Sequence, residues 1–508
     1  MDDTAEEQPP VDVLIVGAGP AGLTLAAELL LNGVSVRIID ARESPMSESR
    51  AIGLTIGALE HLLRRGQYGQ LQVGSTRQEV HFGGFPMSTA GLPTRLEPAI
   101  DIPQHRTEAA LLHWVEELGG RVERGSRLTG LDQDDTSVTC TVSDSAGVSR
   151  QISARYVAGC DGSKSAVRSF AGLNFDTTAP SIQMLLGDFV DTDLPTNPFG
   201  KRNHRGMVMS GPIGDGAVRV IAAEFGRPFR EHGAAVSADE IMSSYTRIVG
   251  SGFIWGSLRW GSSFTDATGV ASRLVAGRIV ILGDAARRHL PAGGQGMNSA
   301  ILDAACLGWH LSRALNLASN EPLQQFEDER LAASRALVIN TQAQGQLFLR
   351  GQEVDALRDV FGRLLQASGG HHTLVRDVSS IGVRYEFADD GTDFAVGLPL
   401  LSGHLPRRPW TQLLDGLQKH GGWLYIHTPG ADPSTVRAAE TCGIPSLEAS
   451  LLQVDELISH TFMPAANRDS ALIRPDGVIA WTSLSDKSLS EVFEYYHLHP
   501  TATQPERS

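Results

Sequence analysis

The stretch that most limits what this chain can become is VDVLIVGAGPAGLTLAAELLLNGVSVRIID, residues 11–40. Its apolar run VDVLIV reads as a buried strand, AGLTLAAELLLNG as a helix closed by Gly33, and VSVRIID as a second strand. A strand, a crossover helix and a strand make a βαβ unit, whose glycine turn here reads G-A-G-P-A-G. Gly17 permits the tight turn, Gly19 lets a pyrophosphate approach the backbone, and Gly22 lets helix and strand pack closely. Asp40, at the end of the second strand, can accept hydrogen bonds from ribose hydroxyls, so the ligand expected is an adenine dinucleotide, FAD or NAD. The glycines of GSGFIWG, residues 250–256, have neither a following amphipathic helix nor an acid, and that stretch is expected to be a loop.

Two further segments decide between the dinucleotides. The run RYVAG leads into Cys160-Asp161-Gly162-Ser163-Lys164-Ser165-Ala166-Val167-Arg168, and RIVIL leads into GDAARRHLPAGGQGMN, residues 283–298. Each puts an aspartate at a strand end, where open α/β sheets bind ligands. Asp284 suits ribityl hydroxyls, and the amides of Gly294 to Asn298, opening a long helix over 295–316, suit a pyrophosphate or the electron-rich flavin edge. Alone, either aspartate reads more readily as a helix cap or a turn residue. Together with the first loop they favour a flavin.

At 508 residues the chain exceeds what one core supports, so two or more units are expected. A net charge of −15 would repel a phosphate backbone and argues against a nucleic-acid partner. Cys140, Cys160, Cys306 and Cys442 lie far apart with no CxxC, which fits neither a disulfide framework nor a zinc site and points to a reducing cytoplasm. No leader or membrane-spanning run is read. Residues 106–120 pattern as a helix, 121–160 as short strands, and 180–265 as an antiparallel layer with little helical periodicity. Past about residue 375 the chain is strand-rich, with Asp476-Gly477 as a hairpin turn.

G-A-G-P-A-G with its acid, C-D-G-x-x-S-x-x-R, and G-D-A-A-…-P-A-G-G-Q-G-M-N-…-D-A-…-L-G-W resemble the class A, p-hydroxybenzoate-hydroxylase-type flavoprotein monooxygenases over residues 11–350. GMVMSGPI, HLPAGGQGMNSAILDA and NTQAQGQLFLRG narrow the resemblance to the aromatic polyketide hydroxylases that act on anthracycline and angucycline intermediates. The resemblance implies an α/β chain with a Rossmann-like FAD-binding domain in two parts, 1–180 and 271–374. An inserted antiparallel-sheet substrate domain would span 181–270, with 71–103 contributing, and a thioredoxin-like domain lacking CxxC would span 375–508. It implies FAD, transient NADPH or NADH, and O₂ adding to the flavin as a C4a-hydroperoxide that oxidises a polycyclic phenol. The expected protein is a monomer or homodimer in the cytoplasm, with no membrane, nucleic-acid or metal partner.

By position, the resemblance assigns Gly17, Gly19, Pro20, Ala21 and Gly22 to the pyrophosphate loop, Asp40, Ala41 and Arg42 to the adenosine, and Arg50, Gln104 and Arg106 to other FAD contacts. Asp161, Gly162 and Arg168 would support FAD from the second loop. Gly283, Asp284, Pro291, Gly293, Gly294, Gln295, Gly296, Met297 and Asn298 would hold the flavin half, with Pro291 and Arg287 nearest the chemistry. Three positions depart from the pattern. Arg287 stands where the family has His, which would leave a permanent charge near FAD, Cys306 stands for Asn, and Gly57-Ala58-Leu59-Glu60 replaces R-T-L-E. The same chain could host a Baeyer–Villiger or ring-rearranging oxygenase, or a catalytically silent flavin-binding pathway protein.

Overall fold

The computed structural model describes residues 11–71, 75–92, 94–97, 99–214, 216–230, 235–366, 370–386, 393–402, 422–448 and 468–499. The chain divides into two compact units, one of residues 1–53, 81–86 and 101–364, the other of 54–80, 87–100 and 365–508.

In the first unit the opening βαβ is present as read: β1 (Val11–Val16), α1 (Pro20–Leu31) and β2 (Val36–Ile39). Asn32 caps α1 and Gly33 follows in the left-handed region at φ 71°, where glycine is free to end a helix. Helix α2 (Gln104–Glu117) precedes β3 (Val122–Glu123), β4 (Arg127–Gln133), β5 (Val138–Ser143) and β6 (Ser149–Gly159). After the short α3 (Ala166–Phe170) comes an antiparallel sheet of β7 (Gln183–Val190), β8 (Asn197–Asn203), β9 (Gly206–Gly214) and β10 (Ala217–Glu224). Helix α4 (Ala238–Val249) and strand β11 (Ser257–Thr265) complete that layer, in the order β8-β9-β10-β7-β11. The chain then returns through β12 (Val275–Ala276) and β13 (Ile279–Ile281) to two long helices, α5 (Gln295–Leu317) and α6 (Glu321–Phe348).

The first sheet runs β12-β13-β6-β1-β2-β3, with β5 and β4 added antiparallel beyond β6. β13, β6, β1 and β2 are mutually parallel, so the chain leaves β1, β6 and β13 at the same edge. Their residues Leu14, Val157 and Val280 are fully buried, as parallel strands covered on both faces require. Helices α1 and α5 cross closely at Gly308, where a side chain would collide with Glu28 Cβ.

The antiparallel layer differs from its reading in one element. Helix α4 was not anticipated, yet its start is legible: Ser237 and Glu240 form a reciprocal capping box. Its Ile241, Tyr245 and Ile248 then pack into a core with Phe189, Val208 and Val220 of the sheet. Residues 251–256 form no helix or strand, as expected for GSGFIWG.

In the second unit, the strand Leu424–His427 pairs parallel with Ser446–Glu448 and antiparallel with Ser470–Ile473, which pairs in turn with Ile479–Thr482. Asp476 and Gly477 make the hairpin turn, Gly477 at φ 82°. Helix Ile56–Arg64 also belongs here, and its buried Glu60 accepts hydrogen bonds from the Ser402 backbone and hydroxyl. No helix among the described residues is long and apolar enough to cross a membrane.

Candidate functional site

Three loops leave the carboxyl ends of the adjacent parallel strands β1, β6 and β13, and they interlock through backbone. Gly17, at φ 105°, packs so tightly on Cys160 that a Cβ would overlap its carbonyl, and a Cβ on Gly22 would overlap the Gly17 carbonyl. Leu282 N–H donates to Gly159 O at 3.1 Å, and a Cβ placed on Gly283 would lie 3.4 Å from Ala21 Cβ. The first and last glycine loops are therefore neighbours, although they are far apart in the chain.

Gly19 is different from Gly17 and Gly22, because a Cβ there meets nothing within 4 Å. It is the N-cap residue of α1, with no side-chain cap and no acid in the first turn. That leaves the N-terminal amides and the positive end of the helix dipole available to an anion. Helix α5 begins the same way. Gly293 and Gly294 take φ values of 70° and 67°, Gly294 is an uncapped N-cap with open space at its Cβ position, and the first turn carries no acid. At Gly296 a Cβ would lie 3.1 Å from His289 Nε2, a tight approach to that ring. Burial, aided by Arg287, lowers the pKa of His289 despite the raising effects of Asp284 and a Leu290 carbonyl contact.

Of the aspartates, Asp284 is exposed, and no hydrogen bond engages its carboxylate among the described residues. Asp40 is 7% exposed and ties its own loop together: Oδ2 accepts from Ala18 N–H and Oδ1 from Arg42 N–H, each at 2.8 Å. Below it, Gln104 Nε2 donates to Glu108 at 2.8 Å, and burial raises the pKa of Glu108. Arg106 is half-buried on the same first turn of α2, while Ala41 and Arg42 are exposed.

Two of the assigned side chains have partners within the protein. Asp161 was expected to support FAD; its Oδ2 accepts from Ala166 N–H at 2.7 Å and Val167 N–H at 3.2 Å, the first two amides of α3, whose N-cap is Ser165. A side chain committed to a helix start has turned toward the protein, and Gly162, at φ 78° with open space around it, is the free member of that loop. Arg287 was expected to add charge beside the flavin and to act in the chemistry. It is instead 1% exposed, with Nη1 on Asp303 Oδ2 at 2.5 Å and on Ser334 Oγ at 3.2 Å. Arg330 flanks the same carboxylate, its Nε donating to Asp303 Oδ1 at 2.7 Å. Burial would push Asp303 up, but the two guanidiniums outweigh it and hold the carboxyl below its ordinary value. Asp303 also accepts from Gly283 N–H at 3.1 Å, so this buried cluster fixes the start of the loop.

Other expected residues serve as ties. Arg168 donates to the Ala285 carbonyl at 2.8 Å and to Ser163 O at 3.1 Å, joining the second and third loops. Asn298, fully buried, donates from Nδ2 to Gly294 O at 2.8 Å and to Gly53 O at 3.2 Å. Gln295 holds Asn340 Oδ1 at 3.1 Å, Met297 is buried, and Pro291 is exposed just ahead of the two left-handed glycines. Pro20 occupies the first turn of α1, where its missing N–H costs nothing.

Arg219 was missed. From β10 it forms a bidentate pair with Asp188 at 2.8 and 2.9 Å and donates to the carbonyls of Ser49 and Arg50, the first of these bonds short and the second 2.8 Å. It anchors the exposed Arg50 loop to the antiparallel sheet. Nothing local in AVRVIAAE marks it out, because its partners come from β7 and from residues 49–50.

Comparison with known proteins shows the family. A family model described as an FAD binding domain matches residues 10–341. A 12-dehydrotetracycline 5-monooxygenase/anhydrotetracycline 6-monooxygenase of Streptomyces rimosus is 31% identical over 492 residues, covering 93% of this chain and 95% of the relative. A rifampicin monooxygenase of Streptomyces venezuelae is 32% identical, covering 94% and 97%. The crystal structure of CabE, an aromatic hydroxylase from angucycline biosynthesis, superposes with a TM-score of 0.85 at 32% identity, covering 97% of this chain and all of the other.

Proposed function

Because the chain belongs to the FAD-binding-domain family, and within it to the class A aromatic polyketide hydroxylases, we propose that this FAD-dependent monooxygenase hydroxylates a polycyclic phenolic polyketide intermediate of antibiotic biosynthesis. The observation that carries the reading is the side-by-side placement of two uncapped, acid-free helix N-termini, of α1 and α5, with the exposed Asp284 at the second loop.

The residues fit FAD. Gly19 and the α1 amides would hold the pyrophosphate, Asp284 the ribityl hydroxyls, and the Pro291–Gly296 backbone the isoalloxazine edge. When bound, FAD supplies reduction by NADPH or NADH and the activation of O₂ that delivers one oxygen atom to the phenol. The protein supplies orientation and exclusion of water. The β7–β11 sheet, tied by Arg219 to the Arg50 loop, is the substrate-facing layer on this reading. Residues 375–508 are read as a thioredoxin-like domain; with Cys442 as their only cysteine they have no dithiol for redox exchange.

The test is NAD(P)H oxidation and O₂ uptake by the purified flavoprotein with a panel of polycyclic phenols, followed by mass spectrometry of products. Stimulated consumption with a gain of one oxygen on an intact ring supports the proposal. An oxygen inserted into the carbon skeleton would identify a Baeyer–Villiger outcome, and a yellow protein that never consumes NAD(P)H would leave only flavin binding.

A further inference from the structure

Behind the flavin loops, α5 and α6 bring together three residues whose chemistry the oxygenase reaction does not use. Cys306 and His310 lie one turn apart on α5, on the same face by helical spacing, and Glu329 comes from α6. The Cys306 Sγ lies 3.5 Å from Glu329 Oε2, and His310 Nε2 lies 3.8 Å from the same oxygen. The three donor atoms all fall within 4.8 Å of one another. All three residues are buried, Cys306 at 1%, His310 at 0% and Glu329 at 6% exposure.

We propose that Cys306, His310 and Glu329 form a buried site for a zinc-class divalent cation that clamps α5 to α6. Tetrahedral zinc takes Cys, His and carboxylate donors at about 2.3, 2.0–2.1 and 2.0–2.2 Å, which sets donor-to-donor edges of roughly 3.4–3.6 Å. The Cys306–Glu329 edge already has that length, and the His310–Glu329 edge needs to close by only a few tenths of an ångström. A thiolate and an imidazole select zinc or cobalt over magnesium or calcium, which prefer oxygen-only sets. One thiolate and one carboxylate also match the charge of one divalent cation, and all three donors are buried. The Trp309 ring lies 3.7 Å from the His310 ring and the Phe326 ring 6.4 Å away, so the imidazole has aromatic neighbours. The second oxygen of Glu329 or one water would fill the fourth position. The site is structural: it sits along the helix whose first turn carries the Gly293-Gly294 loop, and it joins the same two helices as the Arg287–Asp303–Arg330 triad. The sequence reading expected no metal, because the donors come from two helices and form none of the usual CxxC or HxxxH spacings. Cys306 is also one of the three departures from the family pattern, standing where that pattern has Asn.

Because the donors are buried, the cation would enter during folding and resist later chelation. The full-length flavoprotein is therefore produced in zinc-supplemented and in cobalt-supplemented medium, passed through chelator, and assayed for metal and FAD. The expected result is roughly one metal per chain, with a thiolate-to-cobalt charge-transfer band in the cobalt form. The Cys306→Asn protein, which keeps a polar group beside Glu329, is expected to retain FAD and lose both metal and band. Wild-type protein with full FAD but below about a tenth of an equivalent of metal from both media overturns the proposal. So does Cys306→Asn with wild-type metal content. If that variant does not fold, zinc-edge X-ray absorption on the wild type decides: one sulfur in the first coordination sphere supports the site, and oxygen and nitrogen alone overturn it.

Discussion

The two glycine loops are expected to hold opposite halves of one ligand, yet they are held in place by different physics. The loop at 17–22 is a backbone construction in which Gly17 nests on the Cys160 carbonyl, Gly22 on the Gly17 carbonyl, and Asp40 accepts from Ala18 N–H. The loop at 283–298 is held by buried side chains, with Asp303 between Arg287 and Arg330 at one end and Asn298 reaching Gly53 at the other. The first depends on what is missing from its glycines. The second depends on charges that must stay paired, and this decides how each half should fail.

The largest effect is expected in the first loop. Gly22→Ala drives a methyl group into the Gly17 carbonyl and should abolish flavin binding, whereas Gly19→Ala meets no atom of the chain and should fold with its stability unchanged while losing FAD. Flavin content and apoprotein melting temperature distinguish the two, and a Gly22→Ala protein that remains yellow would break the comparison. In the second loop, Asp303→Ala leaves two buried guanidiniums without their shared carboxylate and should destabilise the protein by about 3–5 kcal/mol in denaturant unfolding. A loss below about 1 kcal/mol would put the triad among ion pairs of little consequence.

Asp284→Ala should leave the apoprotein's melting temperature unchanged and weaken FAD by about ten- to a hundredfold, the worth of one or two hydrogen bonds to a charged group, measured by fluorescence titration. The smallest effect concerns pH. Asp303 is held below its ordinary 3.8, so its contribution is present above that value and lost as pH falls through the lowered one. Glu108 is raised above 4.5 by burial, so its contribution is present below 4.5 and lost as pH rises through the folded value. Glu108→Gln should therefore be neutral or slightly stabilising at pH 7, while Asp303→Asn destabilises there and less so in acid; melting curves across pH check both signs.

This contrast also explains what could be read from sequence. The βαβ unit, the strands to β6, the helix at 295 and the Asp476-Gly477 hairpin are set by local patterns, apolar runs punctuated by glycine, and these are legible in one dimension. Helix α4 was equally legible through its Ser237–Glu240 box, but the alternating strands around it masked the signal. Arg287, Arg219 and Asp161 were not legible in the same way. Each is a charged side chain whose role is set by a partner: Asp303 on the helix that follows, the 49–50 carbonyls brought over by the fold, or the amides of a short helix. Charge type alone cannot separate a ligand contact from a buried tie; only the partner can.

The central claim is that the loops at 17–22 and 283–298 are two halves of a single FAD site, and titration of the apoprotein with FAD and with ADP tests it most directly. The account predicts that Gly19→Ala weakens both ligands, whereas Asp284→Ala weakens FAD and leaves ADP untouched. Unchanged FAD affinity in Asp284→Ala, or equal losses of FAD and ADP in that variant, would contradict it.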